Sequence, residues 1–358
     1  VTLPSENPLV PPPPLFAAPR RCLLPAACCL LLPPCTAAVL LLVSGPLNTH
    51  ERGNMASMEQ EDPLPPGYPC VRSGTFSSAS PFLCREHPTN EDRALVFDDM
   101  VSVLKLAPTG TRGPLACLFG VFDGHGGDGA SKFVANHLHH LIGRSAFYES
   151  IDYPADEALA SAVEEGVASV EQASALFIRA YTDWSKKSGD TSGCCACVVA
   201  IRGSVLCAAN VGDCQAILIT DKGAIVSLSR PHRAVDLDEK ARIRSNGGKV
   251  VQGRVMGMLE PSRVIGDYDI KRTWPGCVIA EPYVLVRSLP YTRGQEPSIL
   301  VVASDGVWDS MTQASVSKLV TEAICKQKDP RQVSKELVAA AREAGSGDDV
   351  TVVIAKLG

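Results

Sequence analysis

The chain has 358 residues, with 34 lysines and arginines against 39 aspartates and glutamates, for a net charge of −5. That balance gives no electrostatic footing for nucleic acid, which needs a basic face. Apolar residues make up 45% and charged residues 20%, enough to bury a core over most of the length. At about 100–200 residues per domain, this is one large domain or two modest ones.

Residues 1–66 differ in texture from the rest. They carry about half of the 27 prolines, including the run 11–14, a composition that favours extended, disordered chain. Arg20-Arg21 precede an apolar stretch over 22–43, as in a targeting segment. Pro25, Pro33 and Pro34 interrupt it, and the unbroken part is too short to span a bilayer. Three readings stay open for 1–66: a disordered tail or gene-model extension upstream of Met55, a targeting sequence, or a membrane anchor. Any membrane association would run through this segment alone.

From residue 67 the pattern is globular. A buried strand is expected over 115–122, an amphipathic helix over 128–142 and helical chain over 155–187, broken near Gly166. Strands follow at 195–202, 204–210 and 215–220. A short helix at 237–245 stops at Gly247-Gly248. A strand at 299–303, helices at 312–326 and 330–343, and a strand at 350–356 close the chain. Strands in groups joined by short turns, with helices in pairs, suit antiparallel sheets covered by helices better than a doubly wound parallel sheet. Of the 14 cysteines, Cys195, Cys197, Cys207 and Cys214 fall on apolar runs as small core residues. Cys194 and Cys197 have no second pair for a zinc site. Reduced thiols are expected, and with them the cytoplasm or nucleus.

Acids stand at the ends of apolar runs: Glu91-Asp92, Asp123, Asp305 and Asp348-Asp349. Taken singly, an Asp-Gly after a strand is a turn, Glu91-Asp92 is solvated surface, and Gly124-His125-Gly126-Gly127 is a helix-entry loop. Taken together, acids converging on one sheet rim repel unless cations neutralise them. An oxygen-only set suits magnesium or manganese.

Val121-Phe122-Asp123-Gly124-His125-Gly126-Gly127 resembles the signature of the type 2C metal-dependent serine/threonine protein phosphatases. Further motifs follow in the family's order. They are Thr89-Asn90-Glu91-Asp92, Ala209-Asn210-Val211-Gly212-Asp213, the segment 239–250 leading into the family's flap, Ser262-Arg263-Val264-Ile265-Gly266-Asp267, Ala303-Ser304-Asp305-Gly306-Val307-Trp308-Asp309, and Gly347-Asp348-Asp349-Val350-Thr351. The resemblance covers about 67–358 and implies an α+β fold: two antiparallel sheets in a central sandwich, with helices on both outer faces. It implies a catalytic domain at 67–358 that hydrolyses phosphoserine and phosphothreonine in protein substrates, as a monomer, with two Mg2+ or Mn2+ ions. By resemblance, Asp123 bridges the ions, Glu91 and the Gly124 carbonyl hold one, and Asp305 and Asp348 hold the other. Asp92 orients the attacking water, and His125 protonates the leaving oxygen.

Several positions depart from the family, among them Met256, which stands where an asparagine is usual in the flap region. His87 stands where a phosphate-binding arginine is usual, with Arg85 the nearest arginine, so either residue is a candidate for the phosphate. Pro231 stands where an acid for a third, weaker metal is expected, although its partner acid is present as Asp309. Asp349 replaces an asparagine and either tightens metal binding or faces solvent. Cys194-Cys195 replace small hydroxyl residues as a core change. The competing readings are a pseudophosphatase that binds phosphoproteins without turnover and a non-enzymatic cation-binding module.

Overall fold

The computed structural model describes residues 71–78, 90–98, 116–143, 190–202, 205–289 and 297–357. The segment 1–66, the helical reading of 155–187, and both Arg85 and His87 lie outside the described residues.

Two antiparallel sheets carry the fold. In one, β1 (Val71–Ser78), β13 (Val350–Leu357), β12 (Ser298–Ala303), β6 (Gln215–Ile219) and β7 (Ile225–Ser227) lie side by side in that order. In the other the order is β11 (Tyr283–Ser288), β5 (Val205–Val211), β4 (Gly193–Arg202), β3 (Ala116–His125) and β2 (Arg93–Phe97), with β10 (Ile265–Gly266) added to one end of β4. The helices are α1 (Gly129–Gly143), α2 (Leu237–Ser245), α3 (Tyr268–Thr273), α4 (Asp305–Trp308), α5 (Gln313–Cys325) and α6 (Pro330–Glu343). A small hairpin of β8 (Val250–Val251) and β9 (Arg254–Val255) lies between α2 and β10.

The period of two along each strand sorts side chains into layers. Cys117, Phe119 and Val121 of β3 face a central cluster shared with Leu300 and Val302 of β12 and Val353 and Ala355 of β13. The alternate residues Leu118 and Phe122 pack outward against Phe133, Val134, Leu138 and Ile142 of α1. Val301, Val352 and Ile354 pack outward against Val316 and Val320 of α5 and Val333 and Leu337 of α6. Both outer helices start where the sequence supplies caps. Thr312 accepts a hydrogen bond from the Ser315 amide at 3.2 Å, and Asp329 accepts one from the Arg331 amide at 2.8 Å, with Pro330 at the first helical position. The result is the expected α+β sandwich in helix, sheet, sheet and helix layers.

The cysteine reading holds where residues are described. Cys117, Cys194, Cys195, Cys197, Cys207, Cys214 and Cys277 are buried free thiols, and Cys325 is an exposed one. Among the described residues, no helix is long and apolar enough to cross a membrane.

Candidate active site

Antiparallel pairing decides where the acids meet. Arg93 at the start of β2 pairs with Phe122 near the end of β3, so Glu91 and Asp92 enter beside Asp123. Ala303 at the end of β12 pairs with Val352 near the start of β13, so Asp305 stands beside Asp348 and Asp349. The two sheet ends are tied directly, since the Glu91 amide donates to Asp349 Oδ2 at 2.8 Å. Asp349 is therefore a buried strut between the sheets, not a charge facing solvent. α4 is seated by a hydrogen bond from Trp308 Nε1 to the Ala303 carbonyl at 2.9 Å. Gly306 lies so close to the chain entering β13 that a Cβ there would stand 2.2 Å from the Asp349 carbonyl oxygen. Any side chain at 306 would push Asp305 away from the rim.

Among the described residues, the acids of this rim have too little positive charge for their number. Asp123 and Asp305 are reachable from solvent but enclosed on most sides. Desolvation pushes the Asp123 carboxyl well above the usual range, and Asp305, Asp92, Asp213 and Asp348 push it further as like charges. Asp305 is also raised well above its ordinary value, by desolvation and then by Asp213 and Asp348. Asp92 is almost fully buried, and neither of its carboxylate oxygens has a hydrogen-bond partner of good geometry. The nearby hydroxyls of Thr351 and Ser304 only temper the effect of burial, which takes Asp92 up to about 7. Burial likewise raises Glu91, against a hydrogen bond from the Gly127 backbone.

These residues fit hard cations. The donors are all oxygen, and the buried Asp92 oxygens and the Asp123–Asp305 pair each lack a positive partner. Among the described residues, no three His, Cys, Asp or Glu side chains are already gathered around one point as a ligand cage.

Sequence reasoning placed Glu91, Asp92, Asp123, Gly124, Asp305 and Asp348 at one rim, and they are found together there. It gave no role to Asp213, which is buried at the end of β5 and acts on both Asp123 and Asp305. The signal was available, because Gly212-Asp213 closes an apolar run as the other acids do. Cys195 is more than a core filler here, since its Sγ donates to Asp213 Oδ1 at 3.3 Å. Asp309 is ion-paired with Arg233 Nη2, and Arg233 Nε lies 4.0 Å from Asp213 Oδ2. A guanidinium thus already occupies the space between these two acids. Pro231 lines an open groove of about 530 Å³ beside them, with Arg230, Trp308 and Asp309. His125, at the end of β3, directs Nε2 to Asp267 Oδ2 at 2.7 Å.

A two-sheet sandwich whose rim gathers oxygen donors in this way is a site for hard cations. The family model described as Protein phosphatase 2C matches residues 88–350. A rice protein, probable protein phosphatase 2C 47, is 31% identical over 296 residues, covering 80% of this chain and 70% of its own length. A second rice protein, probable protein phosphatase 2C 57, is 30% identical over 325 residues, covering 87% and 79%. In fold, the chain resembles the crystal structure of serine-threonine phosphatase 2C from Toxoplasma gondii. That likeness has a TM-score of 0.64 and 22% identity, covering 83% of this chain and 98% of that one. The chain belongs to the protein phosphatase 2C family. Its activity is accordingly the metal-dependent hydrolysis of phosphoserine and phosphothreonine in phosphoprotein substrates, with magnesium or manganese. The non-catalytic alternatives gain no support.

Proposed function

We propose that this chain's rim holds two divalent cations. Glu91 and the Gly124 carbonyl would bind one, Asp305 and Asp348 the other, and Asp123 both. The observation that carries this reading is that Asp123 and Asp305 arrive from opposite sheets close enough to act on each other as like charges, with no lysine or arginine between them among the described residues. Bound there, the cations lower the pKa of a water and neutralise charge on the phosphoryl oxygens. Asp92, buried at the rim, orients the attacking water. His125, whose side chain is 30% exposed, gives a proton to the serine or threonine oxygen as the P–O bond breaks.

A third cation is not part of this proposal, because Arg233 already neutralises Asp309. The chain works as a monomer, without nucleic acid. The buried free thiols support a reducing compartment, cytoplasm or nucleus. The test is manganese-dependent hydrolysis of a phosphothreonine peptide by the full chain. Activity lost with EDTA and with Asp123→Ala supports the reading. Activity that survives Asp123→Ala and Asp305→Ala overturns it.

A further inference from the structure

Three strands place His125, Gly193 and Asp267 in one line. His125 pairs with Gly193 across β3 and β4, and Gly193 pairs with Gly266 across β4 and β10, so Asp267 is the next residue on. The His125 and Asp267 side chains meet over Gly193. A Cβ at that position would lie 2.2 Å from Asp267 Oδ2 and 2.3 Å from His125 Nε2, so only glycine leaves room for the pair. Asp267 is 4% exposed and adopts a φ of +50°, a left-handed conformation uncommon for a residue with a side chain. Its backbone is fixed on both sides: its amide donates to the Ser192 carbonyl at 3.1 Å, and its carbonyl accepts from the Lys271 amide at 2.9 Å.

We infer that Asp267 is a positioning residue for His125, holding the imidazole so that Nε2–H points into the protein and Nδ1 is the nitrogen that serves the leaving oxygen. A carboxylate only accepts, so the hydrogen on the shared bond belongs to Nε2. The other nitrogen then carries the transferable proton. When the P–O bond breaks, its electron pair stays on the serine or threonine oxygen, which takes the Nδ1 proton; the neutral ring is recharged from water. An aspartate 142 positions away in sequence thus selects the tautomer and the ring plane, as buried partners of imidazoles do elsewhere.

This inference rests on His125 as the proton donor, and the experiment separates the two claims. Turnover of a phosphothreonine peptide, whose leaving group needs a proton, is compared with turnover of p-nitrophenyl phosphate, whose leaving group does not. The variants are His125→Ala, Asp267→Ala, Asp267→Asn and the double alanine variant, all in the full chain. His125→Ala is expected to lower peptide kcat by about 100-fold, with much less loss on the activated ester. Asp267→Ala is expected to lower it by about 30-fold with the same selectivity and little change in KM, and the double variant to be no worse than His125→Ala. Asp267→Asn, whose amide oxygen still accepts from Nε2–H, stays within about 5-fold of the native chain. If His125→Ala is unselective, both claims fall. If His125→Ala is selective while Asp267→Ala slows both esters equally, only the positioning role falls. Nitrogen NMR of the native, magnesium-loaded chain needs no variant to fold. A His125 ring carrying hydrogen on Nε2, with or without one on Nδ1, supports the inference, and a ring protonated on Nδ1 alone overturns it.

Discussion

Two groups of buried acids sit within this fold, and they titrate in opposite directions. Glu239 on α2 is 3% exposed, and burial alone would raise its carboxyl. It does not rise, because Arg263 Nη2 donates to Oε1 at 2.6 Å while Ser262 Oγ and Arg242 Nη2 donate to Oε2 at 2.6 and 2.7 Å. These bonds outweigh desolvation and bring Glu239 down to about 2. The rim acids Asp92, Asp123 and Asp305 are desolvated too, but their neighbours are mostly acids, and all three rise. Burial is common to both groups; what differs is whether the protein supplies the counter-charge. Glu239 is a completed structural joint that ties α2 to the chain at Gly276 and Cys277 through Arg242. The rim is incomplete without an outside cation.

The contrast breaks most easily at the rim. Asp123→Ala and Asp305→Ala should each lower phosphopeptide turnover by at least about 1,000-fold, the scale expected when charge stabilisation and water activation are lost together. Steady-state kinetics over a manganese series checks this, and rescue by high manganese would weaken the case. The Glu239 joint should respond in stability instead. Glu239→Ala strands two arginines and should cost about 3 kcal/mol in denaturant unfolding, whereas Asp92→Asn in EDTA-treated protein should stabilise.

Proton linkage gives the same contrast a pH axis. Asp92 has a folded pKa raised from 3.8 to about 7. Its favourable contribution is complete below the unfolded value and is lost as pH rises toward 7 and beyond. The melting-temperature gap between Asp92→Asn and the native chain, both without metal, should therefore widen from pH 5 to pH 8. Glu239 and His232 run the other way. Glu239 is depressed from 4.5 to about 2, and its contribution fades as pH falls through that range. His232 is buried and brought from 6.5 down to about 4 by desolvation and then by Arg263. Its contribution is whole above pH 6.5 and lost as pH falls through 4. A Glu239→Gln penalty that did not shrink below pH 4 would contradict this assignment. The smallest effect belongs to Lys328→Ala. Its partner Glu336 is 43% exposed, so stability should change by less than about 1 kcal/mol.

Much of this was legible in sequence. β3, β4, β12 and β13 read as strands because both faces are buried and their apolar runs are continuous. α5 and α6 read as helices from their period and caps. The acids read as a site because each closes an apolar run. What stayed hidden were partnerships across long sequence separations. Arg233 and Asp309 are 76 positions apart, and His125 and Asp267 are 142 apart; nothing local marks either pair. The two-residue strands β8, β9 and β10 were also missed, since pairing and not apolar pattern defines them. Asp349 was ambiguous because its burial depends on Glu91, 258 positions away.

The central claim is that the rim lacks cations the protein does not supply. Calorimetric titration of manganese into the EDTA-stripped full chain at pH 7, beside Asp123→Asn, tests it most directly. The account predicts two manganese ions per chain, proton release on binding as the raised carboxyls ionise, and loss of that binding in the variant. Turnover with no manganese bound, or binding that Asp123→Asn leaves unchanged, would contradict it.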